Sequence, residues 1–535
     1  MQTESILSEG RWALLALQTG AALVVLAALP YPLFQLDRYT FVKELVLLAA
    51  ALAAALLCIG SARKLTVFMV DALVAGFLAL SLLSALFAAN GWLAARALGV
   101  SLAGAGLFWA ARTVARAGYG PRLLAGIAAA VVVGAATGLI QAYGLVTSDL
   151  ASSSRAPGGT FGNRNFMAHL VAIGLPVLIL VTVQARRRRD FALGTAGVAL
   201  AAAALVLSRS RAGWLGAAAC GTFLAVEGLW VGRLWADQQL RRRVLLLAGV
   251  ALGGLLLALV LPNRLNWRSD SPYLDSLAGV ANYKEGSGRG RLIQYRNTLR
   301  MVADHPVLGV GPGNWPVHYP KYMSPGDPSF DAEDIIPTNP WPSSDWMATL
   351  AERGFPASLL LLLVGGTIAL GAWARVRSGT RREPALGDLT IVATLIAIVV
   401  VGALDAVLLL PAPTFFAWTV VGALASSARP IREVALSSRA RRRLTVSVAI
   451  VGGVLLAHSL SQVVAIALSN GGSREALEIA AKVDPGSYRI HMLLAQKWRA
   501  AGRCQRAFPH AQRAQELFPN HPAPRVVFLA CRGNR

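Results

Sequence analysis

Apolar runs of roughly twenty residues recur from one end of this chain to the other, and a helix of that length crosses about 30 Å of hydrocarbon. The 535 residues are 55% hydrophobic and 15% charged, with a mean hydropathy of +0.54. This pattern predicts an all-α, polytopic helical membrane protein. Spans are expected near residues 12–34, 41–60, 66–89, 94–114, 122–145, 165–184, 191–207, 212–231, 244–262, 355–374, 389–408, 414–428 and 444–468. The count is thirteen, or twelve if the short run Thr414 to Ala428, which follows Pro411-Ala412-Pro413, does not cross. The first run, Trp12 to Phe34, is too long for a signal-peptide core and lacks a small-residue cleavage site, so it is expected to be retained as a span.

The net charge of +24 is distributed as a multi-pass topology requires, which removes it as an argument for nucleic acid. With the N-terminus in the cytoplasm, alternate connections carry Arg63/Lys64, Arg112/Arg116/Arg122, Arg186 to Arg189, Arg233/Arg241/Arg242/Arg243, Arg375/Arg377/Arg381/Arg382, and Arg429 to Arg443. Every inside connection is therefore basic. Thirteen crossings put the C-terminus on the other side, periplasmic in a bacterial inner (cytoplasmic) membrane.

Several arginines break that rule. Arg209 and Arg211 occupy a very short outer turn, SRSRAG, and Arg155 and Arg164 lie in another outer connection. The long outer loop, 263–353, holds a basic stretch between Gly288 and Gly313 with Arg289, Arg291, Arg296 and Arg300, followed by a glycine-rich turn. Any one of these arginines can simply reach the headgroups from a helix end. If the loops converge, they form an outer site suited to fork-like binding of phosphate or diphosphate, the group a lipid-linked pyrophosphate presents at that depth.

Three segments carry a family resemblance: RAPGGTFGNRNFMAHLVAIGLP (Arg155 to Pro176), LSRSRAGWL (Leu207 to Leu215) and RLIQYRNTLRMVADHPVLGVGPGNWPVHY (Arg291 to Tyr319). Together they resemble the O-antigen ligase superfamily, which includes lipopolysaccharide O-antigen ligases, Wzy-type polymerases and bacterial protein O-oligosaccharyltransferases. The resemblance runs from about Asp71 to Ala428. It implies a metal-independent, inverting glycosyltransferase with no cofactor beyond its substrate carrier, polyprenyl (undecaprenyl) diphosphate. Such an enzyme takes the glycan from the carrier and gives it to a periplasmic acceptor, whether lipid A core, a growing glycan or a protein.

Carried over by motif, the family's SRG/SRA arginine matches Arg211, and the arginine of its R-x-x-x-W helix matches Arg291, with Tyr295 in the aromatic place. Both are expected to hold the diphosphate, with Arg209, Arg289, Arg155, Arg164, Asn163, Ser343 and Glu352 as further substrate contacts. The turn His305, Pro306, Leu308, Gly309, Gly311, Gly313, Asn314 and the segment Gly159, Gly162, Asn163, Asn165 are expected to shape the outer loops; contact of Asn163 or Asn165 with carrier or sugar is the sharper alternative. The family's histidine pattern is altered in this chain. In the run Ser343-Ser344-Asp345 to Glu352-Arg353-Gly354 the glutamate and glycine remain, while Ser343 stands at the histidine position. Serine is no base near neutral pH. Asp345 is the replacement expected if burial raises its pKa, with Glu352 and His318 behind it. Two alternatives stay open: departure of an arginine-held diphosphate drives transfer without a base, or the chain binds a lipid-linked glycan without transferring it. A carrier-glycan transporter or flippase and a non-catalytic assembly factor are the rival functions.

Elsewhere, Asp71 and Asp405 fall in or at the ends of apolar spans, where carboxylates are costly. Lys43 and Glu44 are candidates for a pair or an extra phosphate contact. No HExxH, CxxC, convincing DxD or P-loop points to a metal or to ATP. The transmembrane domain is expected over 1–470. The remainder, 471–535, reads as a periplasmic tail of amphipathic helices in which Pro519 repeats Pro485 at the period of about 34 residues seen in tetratricopeptide repeats, and which suits contact with a periplasmic partner. Cys504 and Cys531 are placed to staple its last helices, whereas Cys58 and Cys220 read as packing residues.

Overall fold

A computed structural model describes residues 2–31, 36–145, 156–230, 236–267, 269–329, 335, 339–379 and 382–532. The chain forms nine apolar helices before the long loop: α1 (Gln2–Leu26), α2 (Asp37–Ser61), α3 (Met69–Leu86), α4 (Gly91–Val114), α5 (Gly120–Ala142), α6 (Arg164–Val183), α7 (Arg188–Ser208), α8 (Arg211–Trp230) and α9 (Gln238–Val260). The loop contains α10 (Pro272–Ala281), α11 (Gly286–Asp304) and the single turn α12 (Trp315–His318). Four apolar helices follow: α13 (Asp345–Ser378), α14 (Arg382–Leu404), α15 (Pro411–Leu424) and α16 (Ser438–Ser469). The tail is α17 (Arg474–Val483), α18 (Tyr488–Ala500), α19 (Cys504–Leu517) and α20 (Ala523–Arg532).

Each of the thirteen expected spans has its helix. Among the described residues nine stretches are long and apolar enough to cross a membrane; one of them, Gly91–Ala142, holds both α4 and α5, broken at Gly118 (φ 90°). The other three are shorter or charged: α8 carries Arg211 and Glu227, and the apolar part of α1 is Gly10–Leu26. α1 ends well short of the expected Phe34, because Pro30 and Pro32 lack the N–H that would continue it. α15 has only fourteen residues, about 21 Å. All of them except Trp418 are buried, so this helix is packed inside the bundle. α6 is the other central helix, with 83% of its apolar window buried against 11% for the peripheral α9.

The connections sort onto two faces. On one face the loop after α2 and the loop after α15 pair as two short antiparallel strands, β1 (Lys64–Val67) and β2 (Arg432–Ala435), with Lys64 opposite Ala435. Arg375 binds Asp388 there at 2.7 Å, and Arg243 donates to the carbonyls of Val183 and Ala185. On the opposite face lie the α1–α2, α3–α4, α5–α6 and α7–α8 connections, the long loop, the α14–α15 turn and the tail.

The tail helices build their own small core, including Leu477, Leu494, Trp498 and Leu517, and dock on that second face. Asn90 at the head of α4 donates to the Leu517 carbonyl (3.0 Å), Asn520 donates to that of Val317 (3.1 Å), and Arg489 lies 3.4 Å from Asp37. Cys504 and Cys531 form a disulfide joining α19 to α20, while Cys220 is buried and Cys58 partly buried as free thiols.

Lys43, Glu44 and Asp71 each have partners within the fold. Lys43 and Glu44 do not pair, since consecutive helical residues point about 100° apart. Lys43 donates to the carbonyls of Val24, Val25 and Ala27, closing the end of α1, and Glu44 takes a two-pronged bond from Arg96 (2.7 and 2.7 Å). Asp71 accepts from the Phe68 amide, the Trp109 indole and Arg112, the last at 2.8 Å, so it secures the start of α3 on the basic face.

Candidate functional site

The turn between α7 and α8 is two residues long. Arg209 adopts a left-handed conformation (φ 52°), Ser208 Oγ accepts from the Ser210 amide at 3.1 Å, and Arg211 begins α8. Arg211 therefore sits at a helix N-terminus, where the peptide dipoles add to its positive charge. The long loop folds back over it: Arg211 donates to the Gly279 carbonyl at the end of α10 and to Ser287 Oγ at the start of α11.

α11 then brings Arg291 close enough that its charge, and that of Arg209, repel Arg211. Of the four arginines on α11, Arg289, Arg296 and Arg300 are exposed and Arg291 alone is half-buried. Arg291 Nε is buried with no acceptor, and among the described residues neither Arg211 nor Arg291 has a carboxylate partner. Two neighbouring guanidinium groups without a counter-charge are chemically suited to an anion.

The other residues expected at the site have contacts within the fold. Arg209 donates through Nε to Ser276 Oγ (2.8 Å), and its guanidinium and that of Arg164 lie 4.5 and 5.0 Å from the Trp267 ring, so both are engaged in holding the loop. Arg155 lies outside the described residues. Asn163, 2% exposed, caps α6 by accepting from the Asn165 amide at 2.9 Å, which is the loop-shaping role.

A second cluster adjoins the arginines. Asn165 donates to Asp405 Oδ2 at 3.2 Å, and His169, fully buried one helical turn further along α6, has Nε2 3.7 Å from the same carboxylate and Nδ1 3.1 Å from the Ala406 carbonyl. Asp405 is partly exposed, and both it and Arg291 act electrostatically on His169 and on Tyr295. The Tyr295 hydroxyl lies 2.6 Å from the Ser343 carbonyl and 2.9 Å from that of Ala403, tying α11 to both the segment before α13 and the end of α14. Burial pushes this phenol up to about 12, so it stays a donor.

Asp345 is placed differently. It is fully buried, and its Oδ2 accepts from the amides of Val407 and Leu408 at 2.8 and 3.0 Å. It shapes the turn that carries Asp405. Ser343 is half-buried; its amide donates to Gln294 Oε1 at 2.7 Å.

Glu352 is buried as well, and it belongs to a clasp. Its Oε1 accepts from the Trp315 amide (3.3 Å), and its carbonyl accepts from the Gly311 amide and Ser84 Oγ (2.9 and 2.8 Å). The Val310 amide donates to the Ala351 carbonyl and the Phe355 amide to that of Pro306 (2.9 and 2.8 Å). The glycine-rich turn after α11 is thus laid along a break in α13 at Gly354. His305 closes α11: its amide donates to the carbonyl of Met301 and its own carbonyl accepts from Gly309.

Sequence reading did not single out His169 or Arg353. For His169 a signal existed, because it stands four residues after Asn165 and so shares its helix face. Arg353, 6% exposed, donates to Ser101 Oγ at 2.8 Å and has a buried Nε without an acceptor; nothing local in the sequence announces that.

A search of curated proteins returned no match to the chain. Residues 196–362 match the family model described as O-antigen ligase. That segment runs from α7 to the first half of α13 and contains Arg209, Arg211, Arg291, Tyr295, the glycine-rich turn, Ser343, Asp345 and Glu352. The convergence of these motifs on one face of a multi-pass bundle agrees with the match, so residues 196–362 carry the O-antigen ligase resemblance within a multi-pass membrane protein.

Proposed function

We propose that the chain transfers a glycan from a polyprenyl-diphosphate carrier to an acceptor hydroxyl on the periplasmic face of the bacterial inner membrane, in surface polysaccharide synthesis. The observation that carries this reading is the juxtaposition of Arg211 and Arg291, two cations from separate elements with no carboxylate partner among the described residues. The acceptor oxygen attacks the anomeric carbon while the bond from that carbon to the phosphate oxygen breaks. The electron pair leaves with the diphosphate, whose extra charge Arg211 and Arg291 stabilise. The acceptor proton passes to a base.

The family's histidine position is Ser343, and Asp345 is sealed behind the α14–α15 turn. The partly exposed Asp405 is the better placed carboxylate, held by Asn165 and backed by His169, and we assign it the base role. This arrangement supports an active transferase over a binding-only protein. Orientation of the tail face toward the periplasm accords with the disulfide between Cys504 and Cys531, which an oxidising compartment maintains.

The test is reconstitution of the purified chain in lipid vesicles with lipid-linked glycan. Arg211→Ala and Arg291→Ala are each expected to slow transfer by about 10²-fold or more, and Arg296→Ala and Arg300→Ala to leave it within about twofold. Full transfer by both of the first two variants would defeat the assignment.

A further inference from the structure

A cavity of about 190 Å³, the volume of about six waters, lies between the tail and the helix bundle. It has room for a monosaccharide ring. The bundle lines it with Glu44, Arg96, Ser101, Arg353 and Gln462, and the tail with the α17–α18 turn, where Asp484, Ser487 and Arg489 stand. Its polar groups are largely balanced in charge: Arg96 is forked onto Glu44 at 2.7 Å, and Arg489 lies against Asp37 at 3.4 Å. This is unlike the arginine site, where cations have no acids and a diphosphate is the fitting guest.

Arg353, whose charge faces its neighbour Glu352 on the same lining, is the exception in hydrogen bonding rather than in charge. It is 6% exposed and lines the cavity, one nitrogen donating to Ser101 while its buried Nε has no acceptor. An oxygen of an occupant would satisfy it. Hydroxyl groups both donate and accept, so a hydroxyl-rich, uncharged molecule matches a wall of mixed carboxylates, guanidinium groups, amide and serine. Trp341 and Phe518 add apolar ring surface for the C–H faces of a sugar. The cavity also touches the transfer site: Trp341 packs on Phe166 of α6 at 6.1 Å, and Leu408 belongs to the turn that carries Asp405.

We propose that this cavity is a saccharide-binding site, closed on one side by the tail, that holds the acceptor glycan beside the diphosphate site; the acceptor part of this assignment rests on the transferase reading above. The tail is then a part of acceptor selection.

The full chain in lipid nanodiscs is titrated with two probes. Farnesyl diphosphate reports the arginine site, and the reducing oligosaccharides released by mild acid from the surface glycolipid of the producing cells, followed by saturation-transfer NMR, report the cavity. Ser101→Phe, which fills the cavity, and Arg353→Met, which removes its unpaired donor, are each expected to weaken oligosaccharide binding at least about tenfold and to leave farnesyl diphosphate binding within about twofold. A variant that loses both probes has lost its fold, and the other then decides. Oligosaccharide binding equal in the wild type and the folded variants, or absent from the wild type, overturns the proposal. Failure of the wild type to bind farnesyl diphosphate while it binds oligosaccharide would instead defeat the diphosphate reading alone.

Discussion

Gly309 and Gly354 interlock. A Cβ on Gly309 would stand 2.3 Å from the carbonyl carbon of Glu352, and one on Gly354 would stand 2.1 Å from the carbonyl oxygen of Val307; both residues also have left-handed φ, 68° and 74°. The glycine-rich turn and the glutamate–glycine pair at the break in α13 are therefore two halves of one joint. Gly354→Ala is expected to cost about 1–3 kcal/mol through backbone strain alone. The check is thermal unfolding in detergent together with transfer. A wild-type midpoint and rate would show that the joint has slack the geometry does not suggest.

Asp405→Asn removes the proposed base and is expected to slow transfer by about 10²-fold or more. Asp345→Asn keeps an oxygen for the amides of Val407 and Leu408 and should stay within about tenfold of the wild type. The pair of rates separates the two carboxylates. A reversed order would return the base role to Asp345.

Much of this architecture is legible in the sequence because each span must satisfy its own backbone with about twenty apolar residues, a local requirement. The expected side of each connection is likewise read from its own arginines, a local signal. Arg211 and Arg291 stand out because the positive-inside bias fails to explain them. What local pattern cannot give is pairing across long separations. Asn165 meets Asp405 from 240 residues away, and Ser84 accepts a place in the clasp beside Leu308 and Glu352. Asp345 reads as a replacement base two residues from Ser343, yet the first turn of α13 directs it onto backbone amides. Its burial is a tertiary fact.

Tyr295→Phe leaves the carbonyls of Ser343 and Ala403 without their shared donor, at a cost of about 1–3 kcal/mol. Because those carbonyls set the approach of α11 to the Asp405 turn, turnover is expected to fall about tenfold with donor KM unchanged. Steady-state kinetics at varied donor concentration decide this. A change in donor KM alone would place the hydroxyl at the diphosphate instead. With the phenol pushed up to about 12, the wild-type pH profile should show no limb from Tyr295 below that value.

The disulfide between Cys504 and Cys531 closes a loop of 27 residues, for which chain entropy gives about 3–4 kcal/mol. Cys504→Ser should lower tail stability by that order without moving the bundle. In intact spheroplasts a membrane-impermeant maleimide is expected to label the wild type only after reduction, and the Cys531→Ser variant, which frees the partly exposed Cys504, without it. Labelling that requires permeabilised membranes would put the tail on the cytoplasmic side and reverse the topology.

Acid should loosen the tail before it affects the bundle. His491 and His521 are held at about 4, chiefly by burial, and His510, whose Nδ1 lies 3.2 Å from that of His491, is lowered as well. A contact between two ring nitrogens needs one donor and one acceptor, so it fails when both rings are protonated. In the unfolded tail these histidines titrate near 6.5. Between about 6.5 and about 4 the unfolded form therefore binds more protons, and stability is full above that window and lost as the pH falls through it. Limited proteolysis at pH 7.5 and pH 5 reads this directly. Cleavage within residues 474–532 is expected to quicken several-fold at the lower pH while the bundle stays protected, and His491→Phe, which cannot be protonated, should blunt the change. Equal cleavage at both pH values would mean that the rings bind protons equally in the folded and the open tail, and would overturn the prediction.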